Sequence, residues 1–180
     1  VGVESDTVYV GSNGIYALDA SNGDQRWQGG AFNPAAYVVD SLAVNGGTVY
    51  YTAGERVATL RGTDGSIEWG FEMPGRFELL PTAESGTLYI GGHEFVRALD
   101  PADGTPSWRF RTGLGTSLPS VTSDTIYVGD HDHNVWGIAA ADGTKRWHFR
   151  MNGEATSPAV GNNAVYVGSK EGKLYALNEK

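Results

Sequence analysis

Two residue types mark the same interval along this chain. Trp27, Trp69, Trp108 and Trp147 are separated by 42, 39 and 39 residues, and Tyr9, Tyr50, Tyr89, Tyr127 and Tyr166 by 41, 39, 38 and 39. A period near 40 carried by two independent side chains means that one supersecondary unit is repeated, and such a unit must stack on its neighbours to bury its apolar face. Each Trp also stands four residues after a Gly (Gly23, Gly65, Gly104 and Gly143). These eight Gly and Trp positions are read as structural repeat residues.

Inside one unit, short alternating segments are punctuated by turn residues, which is the pattern of strands and hairpins. In the third unit the spacing predicts strands over residues 79–84, 87–91, 95–99 and 107–111. Asn22-Gly23, Asp64-Gly65, Asp103-Gly104 and Asp142-Gly143 are dipeptides that accept positive φ, so one tight reversal is expected before every Trp strand. Pro81, Pro119 and Pro158 stand eight residues before a Tyr, with Leu42 and Val1 at the same place in the other units. Proline cannot donate to a sheet ladder and belongs where the innermost strand begins.

The expectation is an all-β chain of about five repeats, near residues 1–30, 38–73, 78–112, 116–151 and 155–180, in one domain. Four are complete four-stranded antiparallel units and the fifth lacks its Trp strand. Packed radially, these are the blades of a β-propeller; a linear solenoid accounts less well for the long period and the recurring large aromatic. The expected ring has seven or eight blades of which this is a part, or an assembly in which another chain, such as a second copy, covers the exposed edge.

Composition narrows function. Net charge is −8 with only 13 Lys and Arg, which argues against a nucleic-acid partner. The acidity is uneven, since residues 1–90 carry 4 basic and 11 acidic side chains and residues 91–180 carry 9 and 10. There is no Cys, hence no thiol nucleophile and no thiolate metal site. No apolar run reaches the length of a membrane span, and Val1-Gly2-Val3-Glu4 has neither initiator Met nor leader character, as in a processed form or an excised piece.

The pattern Ala-x-Asp-x-x-x-Gly-x-x-x-Trp, with Tyr-Val-Gly-Ser ahead of it, resembles the pyrroloquinoline-quinone-type propeller repeat over essentially the whole chain. Repeats one and three match closely; repeat two has Arg61 and repeat four Ala139 at the Asp position. Those two departures lead us to expect looser seams there. The resemblance implies a propeller outside the cytoplasm, periplasmic or at the cell surface. It also implies a choice between quinoprotein dehydrogenases and non-catalytic members such as the outer-membrane assembly lipoprotein and sensor-kinase domains. The dehydrogenases hold quinone and Ca²⁺ with carboxylates, often beside a vicinal disulfide, in an eight-bladed channel. Here Cys is absent and the first-strand positions are rich in Val, Ala, Ser and Pro, so no cofactor is expected, neither quinone nor Ca²⁺.

No catalytic residues are assigned: no Gly-x-Ser-x-Gly elbow occurs, and His93, His131, His133 and His148 form no triad spacing with Ser and Asp. Gly113-Leu114-Gly115-Thr116 precedes a strand and so reads as the crossing between units three and four, not as a phosphate loop. Asp130-His131-Asp132-His133 carries metal-ligating types, yet it falls where other repeats have a hairpin loop, so it reads as a loop and only a weak metal candidate. Trp136, aligned with Tyr16, Val96 and Tyr175, reads as core. Arg109, Arg111 and Arg150 alternate with Phe110 and Phe149 on outer strands. There they suppress edge pairing or form a surface for a protein or peptide partner. The expected function is a non-catalytic scaffold for protein interaction or ligand sensing; a quinoprotein oxidoreductase fragment and a carbohydrate-binding propeller are the alternatives.

Overall fold

The structure is a computed structural model and describes residues 1–30, 38–72, 82–84, 86–92 and 94–179. Its described elements are all strands, in five consecutive antiparallel sheets. Blade 1 holds β1 (Gly2–Glu4), β2 (Thr7–Gly11), β3 (Ile15–Asp19) and β4 (Gln25–Gly29), and blade 2 holds β5 (Ser41–Asn45), β6 (Thr48–Ala53), β7 (Arg56–Arg61) and β8 (Ile67–Glu72). Blade 3 holds β9 (Thr82–Glu84), β10 (Thr87–Gly91), β11 (Phe95–Leu99) and β12 (Pro106–Arg111). Blade 4 is β13 (Ser120–Val121), β14 (Thr125–Gly129), β15 (Asn134–Ala139) and β16 (Lys145–Arg150); blade 5 is β17 (Ala159–Gly161), β18 (Ala164–Ser169) and β19 (Lys173–Asn178). Four sheets have four strands in chain order and the fifth has three, as the repeat count predicts.

The third-unit strands match the sequence reading at β10 and β11. Residues 79–81 of the expected first strand, Pro81 with them, lie outside the described residues, as does His93. Pro119 and Pro158 stand immediately before β13 and β17, at the entry to the innermost strand.

Every complete blade carries the same register shift between its third and fourth strands, at Ala17/Leu18, Thr59/Leu60, Ala98/Leu99 and Gly137/Ile138. A bulge twists the outer strand and sets the Trp directly opposite a small residue: Ala17, Thr59, Ala98 or Gly137. The reason for small side chains is plain at Gly137, where an added Cβ would lie 2.6 Å from Trp147 Cε2.

The core is divided among the seams between blades. Tyr9, Ile15 and Ala17 of blade 1 pack with Val49, Tyr51, Ala58 and Leu60 of blade 2. Tyr50 and Val57 meet Leu88, Ile90 and Leu99; Tyr89, Val96 and Ala98 meet Ile126, Val128 and Ile138; Val135 meets Val167. Alternate residues along each strand thus serve opposite seams, the period-2 consequence of a sheet buried on both faces. In the first seam, burial pushes the Tyr51 phenol up to about 12, and its hydroxyl donates to the Gly30 carbonyl at 3.1 Å.

Candidate functional site

The repeated turn supplies the geometry from which every seam is built. Gly104 N–H donates to the Asp100 carbonyl at 2.8 Å while Asp100 N–H donates to the Thr105 carbonyl at 2.9 Å, and the same pair of bonds recurs at Gly23, Gly65 and Gly143. The residue before the Gly caps the turn, with Asp103 Oδ1 accepting Thr105 N–H at 2.8 Å and Asp142 Oδ1 accepting Thr144 N–H at 2.9 Å. Gly104 has φ 76° and Gly143 φ 72°, so the expected positive-φ reversal is present.

These glycines do not pack on the Trp of their own repeat. A Cβ built on Gly143 would fall 2.5 Å from Trp108 Cε3, and one on Gly65 would fall 2.6 Å from Trp27 Cε3, so each Gly backs the Trp of the preceding blade. The indole N–H points the same way. Trp27 Nε1 donates to the Gly62 carbonyl at 2.8 Å, Trp69 Nε1 to Pro101 at 2.9 Å and Trp108 Nε1 to Ala140 at 3.0 Å. Each acceptor lies three residues before the Gly of the next blade, so the outer strand of one blade is latched to the turn of the following one. Tyr hydroxyls of the same blades add to these carbonyls, Tyr9 on Gly62 at 3.2 Å and Tyr89 on Ala140 at 3.5 Å. At the last seam Tyr127 reaches Glu179 at 3.2 Å, while the buried Trp147 Nε1 has no partner among the described residues.

Seams into blades two and four are therefore not looser for lacking the Asp. The Asp side chain is not the indole acceptor, so Arg61 and Ala139 leave the latch intact. In blade 1 Arg26 binds Asp19 and Asp6, each at 2.7 Å. Hydrogen bonding to Arg26 holds both carboxylates below their ordinary value of 3.8. In blade 2 the pair is inverted, Arg61 at the Asp19 position lying 3.6 Å from Glu68 at the Arg26 position. Blade 4 retains the other half, with Arg146 on Asp124 at 2.9 Å and on Thr125 Oγ1 at 2.8 Å.

The loop Asp130-His131-Asp132-His133 joins β14 to β15, as the repeat alignment predicts, but Asp130 is fully buried. Its carboxylate accepts Trp136 Nε1–H at 2.7 Å, Asn134 N–H at 2.8 Å, Gly113 N–H at 3.0 Å and both of its oxygens take Asn134 Nδ2–H at 3.1 Å. Asp132 Oδ2 accepts Leu114 N–H at 2.9 Å, and the His131 ring lies against Gly115. The loop thus clamps the glycine-rich crossing from β12 to β13. Among the described residues no group of three or more His, Asp or Glu is arranged to hold a metal ion. Trp136 is half-buried and packs against the core cluster of the seam between blades 3 and 4, stacked on His148 at 5.2 Å and edge-on to Phe110 at 5.4 Å. Its alignment needs correction. Tyr16, Arg97, Trp136 and Tyr175 share one register position opposite Val10, Ile90, Val128 and Val167, so Arg97 and not Val96 is its counterpart.

The Arg surface divides. Arg97 and Arg109 face each other across β11 and β12 and both lie over the Phe95 ring, 5.5 and 5.3 Å from its centroid. Arg111 pairs with Glu94 at 3.0 Å, and Arg150 stands exposed on β16 opposite Asn134, a blade away from the other two.

Both halves of the chain match one family model, described as outer membrane protein assembly factor BamB, over residues 1–91 and 73–180. The chain belongs to this family of quinone-type propeller repeats. No curated protein sequence matches it. Among solved structures it is similar to BamB from Moraxella catarrhalis, with 17% identity and a TM-score of 0.82 over 98% of this chain and 56% of that one. It is also similar to two computationally designed proteins. Ika8 is 12% identical with a TM-score of 0.87 over 98% of this chain and 56% of that chain; Ika4 is 13% identical with 0.77 over 87% and 98%. The chain spans just over half the length of BamB and of Ika8, and these likenesses establish the propeller fold. Among the described residues no helix is long and apolar enough to cross a membrane.

Proposed function

We propose that the chain is a non-catalytic propeller segment that acts as a scaffold for protein interaction outside the cytoplasm, with no resident quinone or Ca²⁺. The observation that carries this reading is the family match over both halves of the chain, to a family described as an outer membrane protein assembly factor. Local chemistry supports it. The carboxylates that suggested metal binding are engaged in building the fold, Asp130 and Asp132 accepting backbone and indole N–H groups. Exposed cations stand on outer edge strands, Arg109 and the Glu94-paired Arg111 on β12 and Arg150 on β16. Edge strands with exposed cations suit a protein partner that offers an acidic or extended segment.

A photo-crosslinking side chain placed at Arg111 or Arg150 in the cell of origin tests the reading. It is expected to capture an extracytoplasmic protein that a copy carrying the probe at Asn22, on the opposite turn, does not capture. Titration with pyrroloquinoline quinone and Ca²⁺ is the second arm. Silent spectra are expected, and tight saturable binding would overturn the scaffold reading in favour of a quinoprotein.

A further inference from the structure

The residue before each Trp decides how the turn end of its blade is covered. Blades 1 and 4 carry an Arg there. Arg26 donates to Thr7 Oγ1 at 2.7 Å as well as binding Asp6 and Asp19, and Arg146 donates to Thr125 Oγ1 at 2.8 Å and to Asp124 at 2.9 Å. Both guanidinium groups therefore lie over the start of their second strand. Blade 2 carries Glu68 in that place, and a carboxylate is shorter and cannot donate. Its contacts are long: Thr48 Oγ1 stands 3.5 Å from Glu68 Oε2 and Arg61 Nε 3.6 Å from Glu68 Oε1. Arg61 is held no more closely by Asp64, also 3.6 Å away, whose carboxylate accepts Ser66 N–H at 2.9 Å and Ser66 Oγ–H at 2.6 Å.

The turn of blade 3 that faces this place is itself less tied down. In the other complete blades the residue three before the Gly binds the turn to the inner hairpin. Ala20 N–H donates to the Asp6 carbonyl at 2.8 Å, Gly62 N–H to Gly47 at 2.7 Å and Ala140 N–H to Asp124 at 3.0 Å. Pro101 holds that position in blade 3 and has no N–H to give. Its carbonyl accepts Trp69 Nε1–H. Among the described residues no hydrogen bond joins that carbonyl to the Tyr50 hydroxyl, whereas Tyr9 and Tyr89 reach the equivalent carbonyls. An open cavity of about 580 Å³ lies between the two blades, with Thr48, Tyr50, Arg61 and Glu68 on its polar side. Ile67, Pro101 and Ala102 form its apolar side.

We propose that this cavity binds a small zwitterion, a free α-amino acid with an apolar side chain. The chemistry of the wall is the reason. Its charged side chains are of opposite sign and 3.6 Å apart. An α-amino acid carries its ammonium and carboxylate on one carbon, so the ammonium meets Glu68 while the carboxylate meets Arg61. Each long contact is then replaced by a charge-assisted hydrogen bond. Ile67 is 47% exposed and, with Pro101 and Ala102, supplies the surface for the side chain. The volume falls within the range of small-ligand sites, about 300–1,000 Å³. Tyr50 is buried, so its ring offers no platform on which a sugar could stack. The site is separate from the edge cations of β12 and β16 and does not depend on the partner proposed for them.

Titration of L-phenylalanine into the 180-residue chain, followed by calorimetry and by residue-resolved amide NMR spectra, tests the site. Saturable binding is expected, with shifts at Thr48, Glu68, Ala102 and the Trp69 indole N–H and none at Asn22 in blade 1. L-phenylalaninamide lacks the carboxylate and N-acetyl-L-phenylalanine lacks the ammonium. Each is expected to bind about tenfold more weakly, the worth of one hydrogen bond to a charged group. Glu68→Gln and Arg61→Gln, both at exposed positions, are expected to lose affinity by a similar factor. Arg61→Asp combined with Glu68→Arg rebuilds the Asp19–Arg26 pair of blade 1. That double variant is expected to abolish binding with an unchanged or higher Tm, which separates loss of the site from loss of the fold. An unaltered chain that shows no saturable binding overturns the proposal. So does an amide or acetyl compound that binds as tightly as the amino acid, or a double variant that keeps full affinity.

Discussion

Replacing Trp by Phe, one blade at a time, separates the latch from simple aromatic burial. At Trp108 the change removes the indole N–H donated to Ala140 at 3.0 Å and shrinks the ring packed against Gly143. The net loss of one hydrogen bond is about 1 kcal/mol. The smaller ring costs about 1 kcal/mol more at about 25 cal/mol per Å² of apolar area. At Trp147 the buried indole N–H has no partner among the described residues, so only the second loss applies. The expectation is about 2 kcal/mol for Trp108→Phe and about 1 kcal/mol or less for Trp147→Phe, with Trp27→Phe and Trp69→Phe following Trp108. Denaturant titration reads these as midpoint shifts at unchanged slope. Equal losses at Trp108 and Trp147 would refute the latch, because burial alone would then account for both.

Other consequences follow from the same contacts. Gly104→Ala, with positive φ and a Cβ pressed into Trp69 and Phe71, should destabilise well beyond the cost of backbone strain, about 1–2 kcal/mol, that limits Gly23→Ala, where no atom lies within 4 Å of the added carbon; thermal melts of the two variants check the order. Asp130→Ala should cost about 3 kcal/mol or more, since Gly113, Asn134 and Trp136 N–H groups lose their acceptor, whereas His131→Ala or His133→Ala in the same loop should cost under about 1 kcal/mol. Arg26 holds Asp6 and Asp19 below their ordinary value of 3.8. That support is complete above about 3.8, where the unfolded carboxylates are also ionised, and is lost as pH falls from there through the depressed folded values. Arg26→Met should flatten the acid limb of a stability-against-pH profile, and an unchanged limb would contradict the pairing.

The repeat period and the strand-turn alternation were legible because Trp, Tyr and Gly-turn spacings are independent of packing partners. They located β10 and β11 residue for residue. A period cannot say whether a side chain meets its own unit or the next one, so the Trp latch on the following turn was not readable. The compensation at Arg61 left a trace, for Asp19–Arg26 and Arg61–Glu68 are both seven apart with signs exchanged. Asp130 was hidden by its neighbours. Three charged or polar side chains beside it marked a surface loop, while burial of the first depended on the glycine crossing that folds over it. Arg97 was misaligned by one residue because Val96 is the apolar neighbour, and a one-residue slip moves a side chain to the other face of its sheet.

The central claim is that each Trp reads the turn of the next blade, and nuclear Overhauser contacts measure it directly. The account predicts cross-peaks from the Trp27, Trp69 and Trp108 indole protons to the α-protons of Gly65, Gly104 and Gly143 respectively, and none from any Trp to Gly23. Cross-peaks joining each Trp to the Gly of its own repeat would contradict it.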